Sequence, residues 1–148
     1  RGLGDVYKRQ AQGLAESKAV TLTAEIEPGI LVKADQTLMM RIWLNLLTNA
    51  VKYGRQQGQI WLTLKSDGKN AVGTVRDDGI GISAAELPKI WKRFYRVNTA
   101  RSSGDDSGTG LGLAMVKWMV ESHGGTVSAV STLGAGSTFS FTIPLRPS

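Results

Sequence analysis

Hydrophobic and polar residues alternate along several short segments of the chain, a period of two that predicts β-strands. The predicted strands are residues 20–26, 30–32, 60–65, 71–76, 126–131 and 137–143. In two longer segments, 36–53 and 111–122, apolar residues recur at helical spacing, and a short helix is predicted after Ser83. Because helices and hairpins mix along one chain, the pattern predicts an α+β fold with helices on one face of a mixed, largely antiparallel sheet.

Local signals indicate where the first long helix begins and ends. Asp35 is a favourable N-cap residue, and Gly54 is typical of a helix C-terminus. Between the two long helices, residues 98–109 are rich in Ser, Gly and Asp and poor in apolar residues, which predicts a mobile loop. Residues 11–19 have the character of the end of a helix.

Composition excludes several kinds of site. The chain has 148 residues, the length of one domain, with 41% hydrophobic and 20% charged residues. It contains no Cys and one His, which excludes a disulfide scaffold, a thiol nucleophile and a metal site made of several histidines or cysteines. No apolar run approaches the length of about 18 residues that a membrane span needs.

The chain carries a net charge of +6, but its basic residues are scattered and form no run. The charge alone leaves a nucleic-acid-binding module open as an alternative. Part of the charge lies in residues 1–10, whose Asp-Val-Tyr-Lys-Arg-Gln segment resembles a translated transposon-end sequence from DNA library preparation. We expect residues 1–10 to be non-native, 11–19 to end an upstream linker or helix, and 20–148 to form the domain. Without the three basic residues and one acidic residue of residues 1–10, the net charge is +4.

The first long helix is apolar around most of its circumference, which predicts that it is buried. Asn45, Asn49 and Lys52 fall in one narrow polar stripe and suggest a helix that lines a polar cavity. Amide oxygens suit Mg²⁺, and a lysine suits a phosphate group. The alternative is that the stripe faces solvent on an ordinary amphipathic helix.

Two glycine-rich turns are further candidates. Residues 77–81, Asp-Asp-Gly-Ile-Gly, follow a strand directly, and a buried Asp there could accept a hydrogen bond from an exocyclic amine such as that of adenine. A tight turn with solvated acids is the alternative. Residues 108–113, Gly-Thr-Gly-Leu-Gly-Leu, open the second helix and could bind an anion at its N-terminus, or could simply be flexible. The chain lacks a P-loop motif, so a phosphate would be bound by another architecture.

Taken in order, these motifs resemble those of two-component sensor histidine kinases. Residues 45–53 look like the N box, 77–81 the first glycine box, 91–96 the F box and 108–113 the second glycine box. Residues 121–125 and 133–139 match the closing helix and hairpin of that family, and the resemblance covers about 20–145. The F box begins with Trp91, where Phe is usual, and we expect this aromatic residue still to anchor the lid.

The resemblance implies the Bergerat ATP-binding fold of the GHKL superfamily, a two-layer sandwich of about three helices on a sheet of about five strands. ATP would lie between the N-box helix and a flexible lid. By resemblance, Asn49 would coordinate Mg²⁺, Asn45 would support the metal and phosphate region, and Lys52 and Arg96 would contact phosphates. Asp77 would accept from the adenine amino group. The remaining nucleotide contacts implied are Tyr53, Gly79, Gly81, Gly108, Thr109, Gly110, Leu111, Gly112 and Thr138.

The resemblance also bears on the reaction. Hydrolytic relatives in the superfamily carry a Glu one helical turn before the metal-binding Asn, and that position is Asn45 here. Because an amide cannot act as a general base, we expect phosphoryl transfer to a protein rather than efficient hydrolysis. His123 precedes two glycines at a helix end, so we expect it to be structural rather than the phosphoacceptor.

The implied acceptor is therefore a histidine on a separate dimerisation domain, and the further partner is a response regulator receiver domain. We expect a cytoplasmic catalytic domain that is monomeric alone, within a membrane-anchored and dimeric protein, and no nucleic-acid partner. A serine-kinase regulator of the anti-sigma type, from the same superfamily, is the other alternative, against which the F box and long lid argue.

Overall fold

The computed structural model describes residues 21–30, 32–53, 58–92 and 112–145. This part of the chain contains five strands, two α-helices and one short 3₁₀-helix at Leu87–Lys89. In chain order the strands and α-helices are β1 (Thr21–Ile26), α1 (Gln36–Tyr53), β2 (Gln59–Ser66), β3 (Asn70–Asp77), α2 (Gly112–Ser122), β4 (Thr126–Thr132) and β5 (Gly136–Pro144).

The strands form one sheet in the order β1-β2-β3-β5-β4. β1 and β2 are parallel, while the other neighbouring pairs are antiparallel. The parallel pair follows from the connection through α1, because a parallel pair needs a crossover whereas antiparallel strands can be joined by tight turns. The α+β prediction of a mixed, largely antiparallel sheet is confirmed.

Helix α1 packs its apolar side against the sheet. Ile42, Trp43 and Leu46 are almost fully buried, and the Trp43 ring meets the Phe141 ring of β5 edge to face at 5.0 Å between centroids. Helix α2 lies beside α1, and its buried residues are Val116, Met119 and Val120. Neither described helix is long and apolar enough to cross a bilayer.

Asp35 caps α1 as predicted, since its carboxylate accepts the Leu38 backbone N–H at 3.0 Å. The predicted strand at 30–32 is wrong at Ile30, and Val32 forms an isolated bridge to Leu145, because the chain enters α1 four residues after Val32. Leu31 lies outside the described residues. After Ser83 there is a turn and one 3₁₀ turn instead of an α-helix. Pro88 lacks the N–H that a continuing α-helix would need at this position, which explains the short element. The predicted helix end at 11–19 and the loop at 98–109 lie outside the described residues.

The helix layer and sheet meet closely at Gly73. An added Cβ at Gly73 would lie 2.5 Å from Cζ of Phe141 and 2.8 Å from Cη2 of Trp43, two rings that are almost fully buried. Gly73→Ala should therefore lower the free energy of unfolding by about 1–3 kcal/mol, as overpacked cores do. Urea denaturation measures this as a lower midpoint with an unchanged slope.

Gly112→Ala is the matched control, because a Cβ there meets no atom of the described residues within 4 Å. Its stability should stay within about 0.5 kcal/mol of wild type. Equal stability of the two variants would contradict the packing described between α1 and β5.

Candidate functional site

A row of polar side chains crosses the end of the sheet beneath the helices. Asp77 of β3 is the register partner of Ser137 of β5, which in turn is the partner of Ser131 of β4. Directly opposite residues of neighbouring strands point to the same face, so the three side chains lie side by side. Asp77 and Ser137 are the two buried polar residues of the described chain.

Asp77 supplies a buried carboxylate. Its Oδ1 accepts the backbone N–H of Gly79 at 2.8 Å. Burial raises the pKa of Asp77 above its ordinary value of 3.8, and backbone N–H groups of Gly79 and Ser137 counteract part of that rise. A buried carboxylate that accepts hydrogen bonds is suited to binding a ligand that carries a donor.

The adjacent acid has a different environment. Asp78 is only half-buried, and its Oδ1 accepts the backbone N–H of Gln59 at 2.9 Å. It therefore ties the start of β2 to the end of β3. Of the two neighbouring carboxylates, Asp77 alone lines the pocket described below.

The turn after Asp77 passes very close to the β4–β5 hairpin. Gly81 has a φ of +76°, and a Cβ there would overlap the backbone oxygen of Thr132. Gly136 at the start of β5 has a φ of +116°, and its Cβ would overlap the backbone oxygen of Asp77. Glycine at these two positions allows the turn and the hairpin to meet next to the carboxylate.

Helix α1 forms the opposite wall. Asn49 is half-buried and faces the pocket, whereas Thr48 beside it is exposed. One turn earlier, the Asn45 side-chain amide donates to the backbone oxygen of Gly112 at 3.2 Å. The polar stripe of α1 thus lines a cavity at Asn49 and binds the start of α2 at Asn45.

Together these elements enclose a pocket of about 350 Å³, including its open mouth. The described residues that line it are Asn49, Asp77, Gly81, Ile82, Leu113, Ser137 and Phe139. Polar groups are few and apolar side chains surround them, as in most small-molecule sites. Behind the pocket, the Trp91 ring contacts the Phe139 ring edge to face at 6.0 Å between centroids.

Thr138 lies on the other face of the sheet. Its register partners are Arg76 and Val130, both exposed, and it does not line the pocket. Ser137, which the sequence motifs did not indicate, does line the pocket. The period of two along β5 could have identified it, because Phe139 and Phe141 are core residues of the same parity.

Pocket residues Ile82, Leu113 and Phe139 were also absent from the sequence-based set, since apolar residues carry no chemical signal of their own. Of the predicted set, the structure brings Asn49, Asp77 and Gly81 together at the pocket, while Asn45 donates to Gly112 at the start of α2. Gly79 donates to Asp77, and Gly112 begins α2. The predicted residues that lie outside the described part of the chain are Arg96, Gly108, Thr109, Gly110 and Leu111, together with the side chains of Lys52 and Tyr53.

His123 lies away from the pocket, at the end of α2. Its Nδ1 is 2.7 Å from the backbone oxygen of Met119, and its Nε2 accepts the backbone N–H of Asp35 at 3.2 Å. Since Nε2 accepts the Asp35 N–H, Nδ1 is the ring nitrogen that can donate to Met119. The histidine thus links the end of α2 to the start of α1.

The buried carboxylate should give the stability of the chain a characteristic dependence on pH. With a raised pKa in the folded state, folding binds a proton, and the free energy of unfolding falls as pH rises from 3.8 through the folded pKa of Asp77. Asp77→Asn removes this loss. Over that interval, the unfolding free energy of the variant minus that of wild type should increase with pH. Urea denaturation at a series of pH values measures this difference.

Asp67→Asn is the control of opposite sign. Backbone N–H groups of Asn70 and Lys69 lower the pKa of the exposed Asp67. The stabilisation that Asp67 gives is present above its unfolded pKa and is lost as pH falls through its folded pKa. The unfolding free energy of Asp67→Asn should therefore decrease relative to wild type as pH rises. A pH-independent difference for Asp77→Asn would contradict the burial of the carboxylate.

Comparison with known proteins identifies the family. Residues 34–147 match the model of the family described as histidine kinase-, DNA gyrase B- and HSP90-like ATPase. The sensor histidine kinase YclK of Bacillus subtilis is 33% identical over 141 residues, which are 95% of this chain and 30% of that protein. The circadian input-output histidine kinase CikA of Synechococcus elongatus is 42% identical over 114 residues, 76% of this chain and 15% of that protein. The chain thus spans less than a third of the length of either relative.

Solved structures show the same fold. A mycobacterial sensor histidine kinase, MprB, superposes with a TM-score of 0.84 at 28% identity, covering 97% of this chain and 96% of that one. Full-length ShkA in complex with AMPPNP superposes with a TM-score of 0.83 at 29% identity, covering 99% of this chain and 30% of that one. The chain therefore belongs to the histidine kinase-, DNA gyrase B- and HSP90-like ATPase family, as a catalytic domain of the sensor histidine kinase type.

Proposed function

We propose that the pocket between α1, the glycine turn and β5 binds ATP with Mg²⁺, and that the γ-phosphoryl group is transferred to a histidine on a separate domain. The observation that carries the proposal is the buried Asp77 carboxylate on the floor of a largely apolar pocket whose wall presents Asn49. The nucleotide analogue in the ShkA structure supports the assignment by similarity.

Asp77 is the proposed acceptor for the adenine amino group. We expect a planar base to pack against the apolar side chains of Ile82, Leu113 and Phe139. Its amino group would then donate to the Asp77 carboxylate, which also accepts the Gly79 N–H. Ser137 is buried next to Asp77, and we assign to it the position near the base that the resemblance gave to Thr138. Gly79 and Gly81 shape the turn that lets the base approach.

Asn49 is the proposed protein ligand of Mg²⁺. The described residues contain no cluster of three His, Asp or Glu side chains, so the protein would supply few ligands. Mg²⁺ suits this arrangement because it retains several waters and is commonly held by one or two side chains together with substrate phosphates. When bound, the ion would neutralise charge on the phosphates. Lys52 and Arg96 are proposed to contact the phosphates, Tyr53 to line the cleft, and residues 108–112 to close over it.

Asn45 favours transfer over hydrolysis. It occupies the position from which hydrolytic relatives activate water, and its amide instead holds the backbone oxygen of Gly112. An amide is too weakly basic near neutral pH to serve as a general base. The attacking nitrogen of the acceptor histidine forms the new P–N bond as the bond to the ADP oxygen breaks, and catalysis by this chain consists of positioning and charge stabilisation.

The acceptor is proposed to lie in another domain. Both ring nitrogens of His123 are engaged, by Met119 and by Asp35, so this side chain is not poised to attack a phosphate. For the whole protein we propose a dimerisation domain with the phosphoacceptor histidine, a receiver-domain partner, membrane anchorage with this domain in the cytoplasm, and no nucleic-acid partner. The chain alone is proposed to be a monomer.

Asp77→Asn tests the adenine assignment. Because the amide presents its own donors to the buried site, ATP binding should weaken by about 1–3 kcal/mol, the cost of an unmatched buried polar partner. Titration calorimetry on the 148-residue chain with Mg²⁺ measures this.

Asp78→Asn, the same change at the neighbouring position, should leave the affinity unchanged because Asp78 faces β2 rather than the pocket. Equal affinity of wild type and Asp77→Asn would refute the proposed role of the carboxylate.

Asn49→Ala tests the metal assignment. Removing the amide oxygen should reduce the factor by which Mg²⁺ strengthens ATP binding, more than it reduces binding without the ion. Calorimetry with and without Mg²⁺ gives both quantities. Thr48→Ala, on the exposed side of α1, should keep the wild-type ratio. A wild-type Mg²⁺ dependence in Asn49→Ala would show that Asn49 is not a ligand.

A further inference from the structure

Ser131 lies on β4 beside the pocket without forming part of its surface. It completes the row of Asp77, Ser137 and Ser131 across three neighbouring strands. The described lining residues come from α1, α2, β3, β5 and the glycine turn, and none of them belongs to β4. Any effect of Ser131 on a bound ligand must therefore act through its neighbours.

The Ser131 hydroxyl makes three close polar contacts. Its Oγ accepts the backbone N–H of Ile82 at 2.7 Å, lies 3.0 Å from the backbone oxygen of Gly136, and lies 2.8 Å from Oγ of Ser137. A hydroxyl has one proton and two acceptor positions. All three contacts are satisfied when Ser131 donates to Gly136 and receives the Ser137 proton. In that arrangement Ser137 has its proton directed away from the pocket and leaves lone pairs to face it.

The same contacts hold the glycine turn in place. Ile82, whose side chain lines the pocket, is tied to β4 through its N–H and Ser131. At the other side of the turn, the backbone N–H of Gly134 donates to the oxygen of Ile80 at 2.7 Å. Gly81 lies between these two attachments, pressed against the backbone of Thr132. The wall next to Asp77 thus depends on β4 for its position.

We propose that Ser131 is a positioning residue for base recognition: it fixes the Ile80–Ile82 turn against β4 and orients the Ser137 hydroxyl as an acceptor beside Asp77. The floor of the pocket then presents two neighbouring acceptors, which favour a base carrying an amino group. This inference rests on the proposed nucleotide-binding function. It adds a residue outside the pocket on which the preference for the base depends.

The test compares two probes that differ at the base, ADP and inosine diphosphate. In inosine diphosphate, an oxygen replaces the adenine amino group. Calorimetry, with competition for the weaker ligand, gives both affinities for the whole chain and its variants. Ser131→Ala should weaken ADP binding about tenfold, because the buried residues Ile82 and Ser137 lose the hydroxyl to which they bond. Inosine diphosphate should lose less, so the preference for ADP should shrink.

Three further variants separate the hydroxyl from the shape of the side chain. Ser131→Thr keeps the hydroxyl and should retain most of the wild-type preference for ADP. Ser131→Val has the shape of threonine without the hydroxyl and should behave like Ser131→Ala. Ser128→Ala, on the exposed side of the same strand, should match wild type. If Ser131→Ala weakens both ligands by the same factor, in step with a lower melting temperature, the role is only structural and the inference is wrong.

Two outcomes distinguish this inference from the proposed function. If folded wild type binds no ADP, both the proposed function and this inference are wrong. If wild type binds ADP but Ser131→Ala keeps the wild-type preference for ADP over inosine diphosphate, the inference alone is wrong. Hydrogen exchange of the Ile82 amide in wild type needs no variant. It should be slow even without nucleotide, because Ser131 accepts this N–H, and rapid exchange would contradict the attachment.

Discussion

The carboxylate of Asp77 is buried at the end of a central strand, and the surrounding site is arranged to accommodate it. Taking a charge out of water is costly unless hydrogen bonds replace the lost hydration. Here the backbone N–H of Gly79 provides one such bond at 2.8 Å, and burial still raises the pKa of the acid. The sheet supplies rigidity, because β3 has a hydrogen-bonded neighbour on each side. A preorganised acceptor of this kind serves a ligand that brings a donor to the same place.

The same constraint explains the small residues around the acid. The turn after β3 must pass beside the β4–β5 hairpin, and neither Gly81 nor Gly136 leaves space for a Cβ. Ser131 and Gly134 then attach the turn to the hairpin from two sides. Helix α1 completes the pocket with Asn49 while its apolar side is fixed by packing on β5 through Trp43 and Phe141. The polar groups of the pocket therefore lie where α1, the turn after β3 and strand β5 meet.

Periodicity in the sequence predicted the five strands of the sheet and α1, whose bounds and Asp35 cap agree with the structure. It also predicted a strand at 30–32, where Val32 forms only an isolated bridge. It failed where a single residue overrides the pattern, as Pro88 does in the short helix. Motif spacing identified Asp77, Gly81 and Asn49, because their chemistry is visible in the residue type. It could not separate Ser137 from Thr138, since both are small hydroxyl residues and only the strand parity decides which faces the pocket. Apolar pocket residues such as Leu113 depend on tertiary packing that no local pattern reports.

A crystal structure of the chain with AMPPNP and Mg²⁺ would test the proposed site most directly. We expect the adenine amino group within hydrogen-bonding distance of the Asp77 carboxylate, the base against Ile82 and Phe139, and the Asn49 side-chain oxygen on the metal ion. A nucleotide bound at another surface, or an adenine whose amino group makes no contact with Asp77, would contradict it.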